Sequence, residues 1–180
     1  MRIGVFAGSF NPVHNGHIHI INYLLNNNYV DKVLVLPTPN YWDKNNLIDT
    51  KLRVEMLKYF ENDNVIIDDI HNKYEYTYQV MESLKKDYKE DELYLIIGSD
   101  NLEKFHLWQH YDEILNNKLI VLNRGKIIKN KQLEDYENNI IYIDEFNYID
   151  VSSTDVRNGN FNNVDERVVK YIKKKHLYDN

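Results

Sequence analysis

Six short apolar runs rich in β-branched residues recur along the chain: Ile3 to Ala7, Val33 to Leu36, Val65 to Ile67, Leu93 to Ile97, Leu119 to Leu122 and Ile140 to Ile143. Each is too short for a helix and most are flanked by polar or charged residues, so they read as strands. Between them Ile18, Ile21 and Leu25, then Leu52, Met56 and Phe60, then Val80, Leu84 and Tyr88 each line one helical face. Continuous apolar strands alternating with amphipathic helices imply a parallel sheet covered on both sides and joined by right-handed crossovers. The expected fold is therefore α/β, a Rossmann-like doubly wound parallel sheet. Asp49 or Thr50 suits the cap of the second helix and Ser153 or Thr154 that of a later one. Val164 through Ile172, followed by Lys173, Lys174 and Lys175, reads as a small C-terminal helical region whose lysines suit a helix end. No repeat or linker divides the chain, so a single domain over residues 1–180 is expected.

Composition narrows the partners. With 22 Lys and Arg against 28 Asp and Glu, the net charge is −6, so a broad basic face for nucleic acid is not expected and any anion site must be local. No cysteine is present, which removes disulfides, thiolate metal sites and cysteine nucleophiles and accords with a reducing compartment. No apolar run approaches a bilayer span and no signal-peptide pattern opens the chain, so the expectation is a cytoplasmic protein without a membrane partner. The sequence leaves the oligomeric state open.

Three segments fall where open α/β sheets bind ligands, beyond the carboxyl ends of strands. The first, Gly8-Ser9-Phe10-Asn11-Pro12-Val13-His14-Asn15-Gly16-His17, joins the first strand to a helix. Backbone N–H groups there have no internal partner and attract anions, and His14 and His17 can add donors or positive charge. A pair of capping histidines, or a metal site with His19, is the plainer alternative. The second is Gly98-Ser99-Asp100, in which Asp100 can accept from a ribose and Gly98 lets a flat base approach the backbone. The third, Ser152-Ser153-Thr154-Asp155-Val156-Arg157, offers hydroxyls, free N–H groups and a guanidinium that can fork onto phosphate; alone it is equally a helix cap with a surface arginine. Trp108 can stack on an aromatic ring or pack in the core. Lys44 lies on the long loop after the second strand. Neither a three-glycine dinucleotide fingerprint nor a Walker-type phosphate loop occurs.

Together, His14-Asn15-Gly16-His17 and the Ser152 to Arg157 segment resemble the two signatures of the H-x-G-H nucleotidyltransferase superfamily. Within it the chain is similar to the nicotinate-mononucleotide adenylyltransferase family through Leu52 to Leu57, Tyr76-Thr77-Tyr78, Ile97 to Asp100, Leu107-Trp108, Asn123-Arg124-Gly125, Val168 to Ile172 and Leu177-Tyr178. One departure is Tyr41-Trp42-Asp43-Lys44, where the family usually has Pro-Pro-His-Lys; another is Asn11, where many bacterial members have aspartate and nicotinamide-mononucleotide enzymes resemble this chain.

The resemblance implies adenylyl transfer from ATP to nicotinate mononucleotide, giving nicotinate adenine dinucleotide and pyrophosphate, with Mg²⁺ carried by the ATP phosphates. His17 would contact the α-phosphate, His14 and Arg157 the other phosphates, and Lys44 the leaving group and mononucleotide. Gly8, Ser9 and Phe10 would line the shared centre, Gly98 and Asp100 would hold adenosine, and Ser153 and Thr154 would join Arg157 at ATP. Ser9, Thr77, Leu107, Trp108 and Arg124 would receive the mononucleotide. No dedicated metal ligands are expected. Nicotinamide mononucleotide or a phosphopantetheine acceptor, and a non-catalytic nucleotide sensor, are the alternatives. The spatial requirement common to these roles is that the histidine loop and the Arg157 segment meet.

Overall fold

The computed structural model describes residues 1–39 and 47–179. All six expected runs are strands: β1 (Arg2–Gly8), β2 (Lys32–Pro37), β3 (Val65–Ile67), β4 (Glu92–Gly98), β5 (Lys118–Leu122) and β6 (Ile140–Ile143). They form one parallel sheet in the order β3-β2-β1-β4-β5-β6. Several strands extend beyond their apolar runs because a ladder uses backbone groups, so charged residues such as Arg2 and Glu92 pair at the strand start.

The side-chain period of two divides the core. Val33 and Val35 join one buried cluster with Ile96 and Ile120, while Leu34 and Leu36 join another with Leu95 and Val121. The first cluster is covered by α1 (Asn15–Asn26), α2 (Thr50–Leu57), α5 (Ser153–Arg157) and α6 (Glu166–Lys174), the second by α3 (Thr77–Asp87) and α4 (Tyr111–Ile114). Each fully buried Leu, Ile or Val contributes about 1.5–3 kcal/mol, which is why both faces of the sheet must be roofed.

Several boundaries differ from the sequence expectation. Asp49, and not Thr50, caps α2, its carboxylate accepting from the Lys51 N–H at 3.2 Å, and Phe60 falls in a tighter 3-10 turn that follows. The cap of α5 is Ser152, whose hydroxyl oxygen accepts from the Asp155 N–H at 3.1 Å. Ser153 and Thr154 are free of that task because other groups claim their hydroxyls. The final helix starts at Glu166 rather than Val164, with Asp165 as cap, and runs on through Lys174. Among the described residues no helix is long and apolar enough to cross a membrane.

Strand order reverses between β1 and β4. The loops leaving the carboxyl ends of these neighbours turn to opposite sides of the sheet and open a crevice between them.

Candidate active site

The histidine loop starts at Gly8, where a Cβ would stand 3.3 Å from the Phe10 ring. Phe10 is buried, adopts a left-handed backbone (φ 46°), and sets its ring edge-on to His17 with centroids 4.8 Å apart. That conformation is costly for a bulky residue and is held by packing from both sides. The turn then passes a cis Asn11–Pro12 peptide and reaches His14, the cap of α1.

Two imidazoles close this helix end reciprocally. Nδ1 of His14 accepts from the Gly16 N–H at 3.1 Å, and Nδ1 of His17 accepts from the His14 N–H at 3.1 Å. A ring nitrogen that accepts carries no proton, so the donor in each ring is Nε2–H. The rings stack with centroids 3.7 Å apart. Burial, reinforced by the Arg124 charge, holds His14 down to about 4. Burial, then His14 and Arg124, hold His17 well below the usual histidine range. Of the two roles the sequence leaves open, donors or positive charge, the geometry favours the first: at neutral pH these rings are uncharged, preoriented N–H donors. Gly16 makes their approach possible, because a Cβ would lie 2.9 Å from His14 Cε1 and 3.0 Å from Val151 Cγ1.

The Arg157 segment meets this loop. Ser153 Oγ donates to the Pro12 carbonyl at 3.0 Å, and Arg157 Nη1 donates to the Asn11 carbonyl at 2.9 Å while Nη2 donates to Thr154 Oγ1 at 3.1 Å. From the α2 side, fully buried Arg53 donates to the Ser9 carbonyl at 2.7 Å. Three loop carbonyls are thus occupied by these groups, leaving a helix N-terminus and two imidazole donors for an anion.

A cavity of about 490 Å³ occupies the crevice, lined among others by Gly8, Ser9, Phe10, His14, His17, Gly98, Arg124 and Ser153. Arg124, expected at the mononucleotide, is its only charged lining side chain among the described residues. Its backbone N–H donates to Ser99 Oγ at 2.8 Å, and its guanidinium lies 3.7 Å from the Asp100 carboxylate. The glycine at 98 has a local reason: a Cβ there would stand 2.5 Å from Asp100 Oδ1 and 2.7 Å from Arg124 Cδ. Asp100, Thr154 and Arg157 border this region without lining the cavity. Lys44, like Tyr41, Trp42 and Asp43, lies outside the described residues.

A second cavity, about 360 Å³ and mostly apolar, adjoins the first and shares with it Ala7, Thr38, Thr77, Leu95 and Trp108. Trp108 packs against Phe105 with ring centroids 4.6 Å apart, as its core reading requires, and also lines both cavities. Leu107 is exposed at the rim of the smaller one. Thr77, the first residue of α3, sits where the two meet. The metal alternative is not formed: His19 bonds the Asn147 carbonyl at 2.8 Å and stacks on Phe146, and no three His, Asp or Glu among the described residues could hold an ion.

Sequence reasoning gave Arg53 no role in this site. The available signal for Arg53 was its spacing to Met56 and Leu57, which places a charged residue on the buried face of α2.

The cytidylyltransferase-like family model matches residues 5–159. A probable nicotinate-nucleotide adenylyltransferase of Borreliella burgdorferi is 37% identical, covering 99% of this chain and 97% of the relative, and one of Fusobacterium nucleatum is 34% identical over 98% of this chain and 100% of the relative. Among solved structures, the Plasmodium falciparum nicotinic acid mononucleotide adenylyltransferase complexed with NaAD superposes with a TM-score of 0.80 at 20% identity, covering 99% of this chain and 97% of that one. Full-length identity at this level, with both signatures joined at one crevice, places the chain in the nicotinate-nucleotide adenylyltransferase family of cytidylyltransferase-like proteins.

Proposed function

We propose that this protein transfers the adenylyl group of ATP to nicotinate mononucleotide, releasing pyrophosphate. The observation that carries this reading is the pair of adjoining cavities at the strand-order reversal, one lined by phosphate donors and one mostly apolar, with Thr77 and Trp108 on their common boundary. ATP fits the larger space and the pyridine mononucleotide extends into the smaller.

An ionised phosphate oxygen of the mononucleotide attacks the α-phosphorus of ATP. The bond from that phosphorus to the bridging oxygen breaks, and its electron pair leaves with pyrophosphate. The attacking phosphate, with a second pKa near ~6, is already largely ionised at neutral pH, so no protein base is required. Catalysis then rests on alignment and on stabilising charge that grows on the α-phosphate and leaving group. The Nε2–H of His17 serves the α-phosphate. His14, the α1 N-terminus, Ser9, Ser153 and Arg157 serve the other phosphates, and Lys44 the leaving group. Gly98 and Asp100 serve the adenosine base and ribose. Mg²⁺ carried in with the ATP phosphates would neutralise charge on the leaving pyrophosphate.

A second reading, nicotinamide mononucleotide as acceptor, is favoured by Glu75, the only charged side chain among the described residues lining the smaller cavity. A carboxylate there opposes a carboxylate ligand, whereas the N-terminus of α3 at Thr77 attracts one. The test is pyrophosphate release from ATP and Mg²⁺ with nicotinate mononucleotide, nicotinamide mononucleotide and phosphopantetheine in parallel. Highest kcat/KM with nicotinate mononucleotide is expected; preference for phosphopantetheine, or no release with any acceptor, overturns the reading.

A further inference from the structure

After α6 the chain turns back on itself. Both His176 and Tyr178 take left-handed backbone conformations, with φ of 53° and 61°. Neither is a glycine, so the reversal is held by what the segment reaches. Leu177 and Tyr178 pack against the core cluster beneath α1 and α2. The Tyr178 hydroxyl donates to Oδ1 of Asn11 at 2.7 Å.

Asn11 is 3% exposed and joins several elements. Its carbonyl takes the Arg157 bond from α5, and its Oδ1 also accepts from the Ile48 N–H at 3.4 Å. Arg53 holds the Ser9 carbonyl two residues earlier, and Ser153 holds Pro12 one residue later. Burial pushes the Tyr178 hydroxyl up and keeps it protonated as a donor, against the opposing charges of Arg157 and Arg53. The phosphate loop is therefore fixed from behind by three separate elements: α2, α5 and the segment after α6.

We propose that Tyr178 is a positioning residue for adenylyl transfer: its hydroxyl, bonded to Asn11, sets the path of the Ser9 to His14 loop and so the aim of the two imidazole donors. This rests on the function proposed above. The reason for a hydroxyl bond, where apolar packing alone would hold the tail, is directional. A bond to one side-chain oxygen fixes the orientation of Asn11, and its carbonyl is then presented to Arg157. A phosphoryl-transfer site depends on such alignment, since small misplacements lower the rate steeply.

The test is Tyr178→Phe, which keeps the ring and its packing and deletes only the donor. A kcat lower by about tenfold, with KM for ATP changed less, is expected from loss of one aligning hydrogen bond. Tyr178→Phe in an Asn11→Ala background should cost no more than about twofold further, because the partner is already gone. Ring ¹⁵N–¹H spectra give a readout independent of turnover: the His14 and His17 signals should move in Tyr178→Phe while those of His71 stay. A lowered thermal midpoint with unchanged kcat and unmoved His14 and His17 signals makes Tyr178 only a stabilising residue and overturns the proposal, as do strictly additive losses with Asn11→Ala. Failure of the wild-type protein to release pyrophosphate refutes the assigned reaction instead, and the spectra then decide the positioning role by themselves.

Discussion

Two buried histidine sites in this protein demand opposite protonation states. At the phosphate loop, the Nδ1 atoms of His14 and His17 both accept from backbone N–H groups, so these rings must lack a proton there. Beyond the end of β3, His71 lies between two carboxylates, with Nδ1 2.7 Å from Asp68 and Nε2 2.6 Å from Asp87. Carboxylates only accept, so both nitrogens of His71 must donate, which is the imidazolium. Burial alone would lower its pKa, yet the hydrogen bonds to Asp87 and Asp68 outweigh burial and raise it. Burial pushes all three rings toward the neutral form; it prevails at His14 and His17, and only at His71 do two carboxylate partners overcome it. The charged ring is a structural clasp for the segment leading to Thr77, while the neutral rings keep a free donor each for a ligand.

That contrast can be broken first at the loop. His17→Ala should lower kcat by about 10²–10³-fold, the usual loss when one preoriented donor is removed from developing charge, with the far-ultraviolet circular dichroism spectrum unchanged. Wild-type turnover in this variant would mean that the ring does not face the α-phosphate.

Stability against pH sharpens the comparison because the two sites have opposite signs. For His14, depressed from 6.5 to about 4, the unfolded chain binds the proton first. Its contribution is complete above pH 6.5 and is lost as the pH falls toward 4, amounting to about 3 kcal/mol at the limit. For His71 the folded pKa is raised, so its contribution is complete below the usual histidine range and fades as the pH rises through the raised value. Denaturant midpoints across pH 4 to 8 should therefore fall less steeply toward acid in His14→Asn than in wild type, and less steeply toward alkali in His71→Asn. The same slopes in all three proteins would contradict both assignments.

A smaller effect is expected at the clasp itself. Asp68→Asn keeps the shape but leaves His71 with one exposed carboxylate, which should cost about 2 kcal/mol, or roughly 4–8 °C in thermal midpoint. Trp108→Ala should act mainly on the mononucleotide, raising its KM by about tenfold with kcat nearly constant if stacking is equal in ground and transition states. A change confined to thermal stability would assign Trp108 to the Phe105 side alone.

The strands were legible because each is a short continuous apolar run, those at the centre of the sheet largely buried, a pattern that depends on local sequence and little else. Their ends were less so, since Arg2, Glu92 and Lys118 join the ladder through backbone groups that carry no side-chain signature. The two segments that meet at the crevice were legible as types of residue at a strand-to-helix turn. What was not legible was anything set by distant packing: the charge state of His14 and His17 depends first on burial and then on Arg124 across the crevice, and the role of Arg53 depends on Ser9, far off in sequence. Ser152 rather than Ser153 caps α5 for the same reason, because the Pro12 carbonyl, brought close only by folding, takes the Ser153 hydroxyl.

The fold keeps two uncharged Nε2–H donors at the histidine loop, a state that ring ¹⁵N chemical shifts followed through a pH titration report. At pH 6 both His14 and His17 should show a bare Nδ1 and a protonated Nε2, beside a doubly protonated His71. His14 and His17 titrating together near 6.5, or carrying the proton on Nδ1, would contradict it.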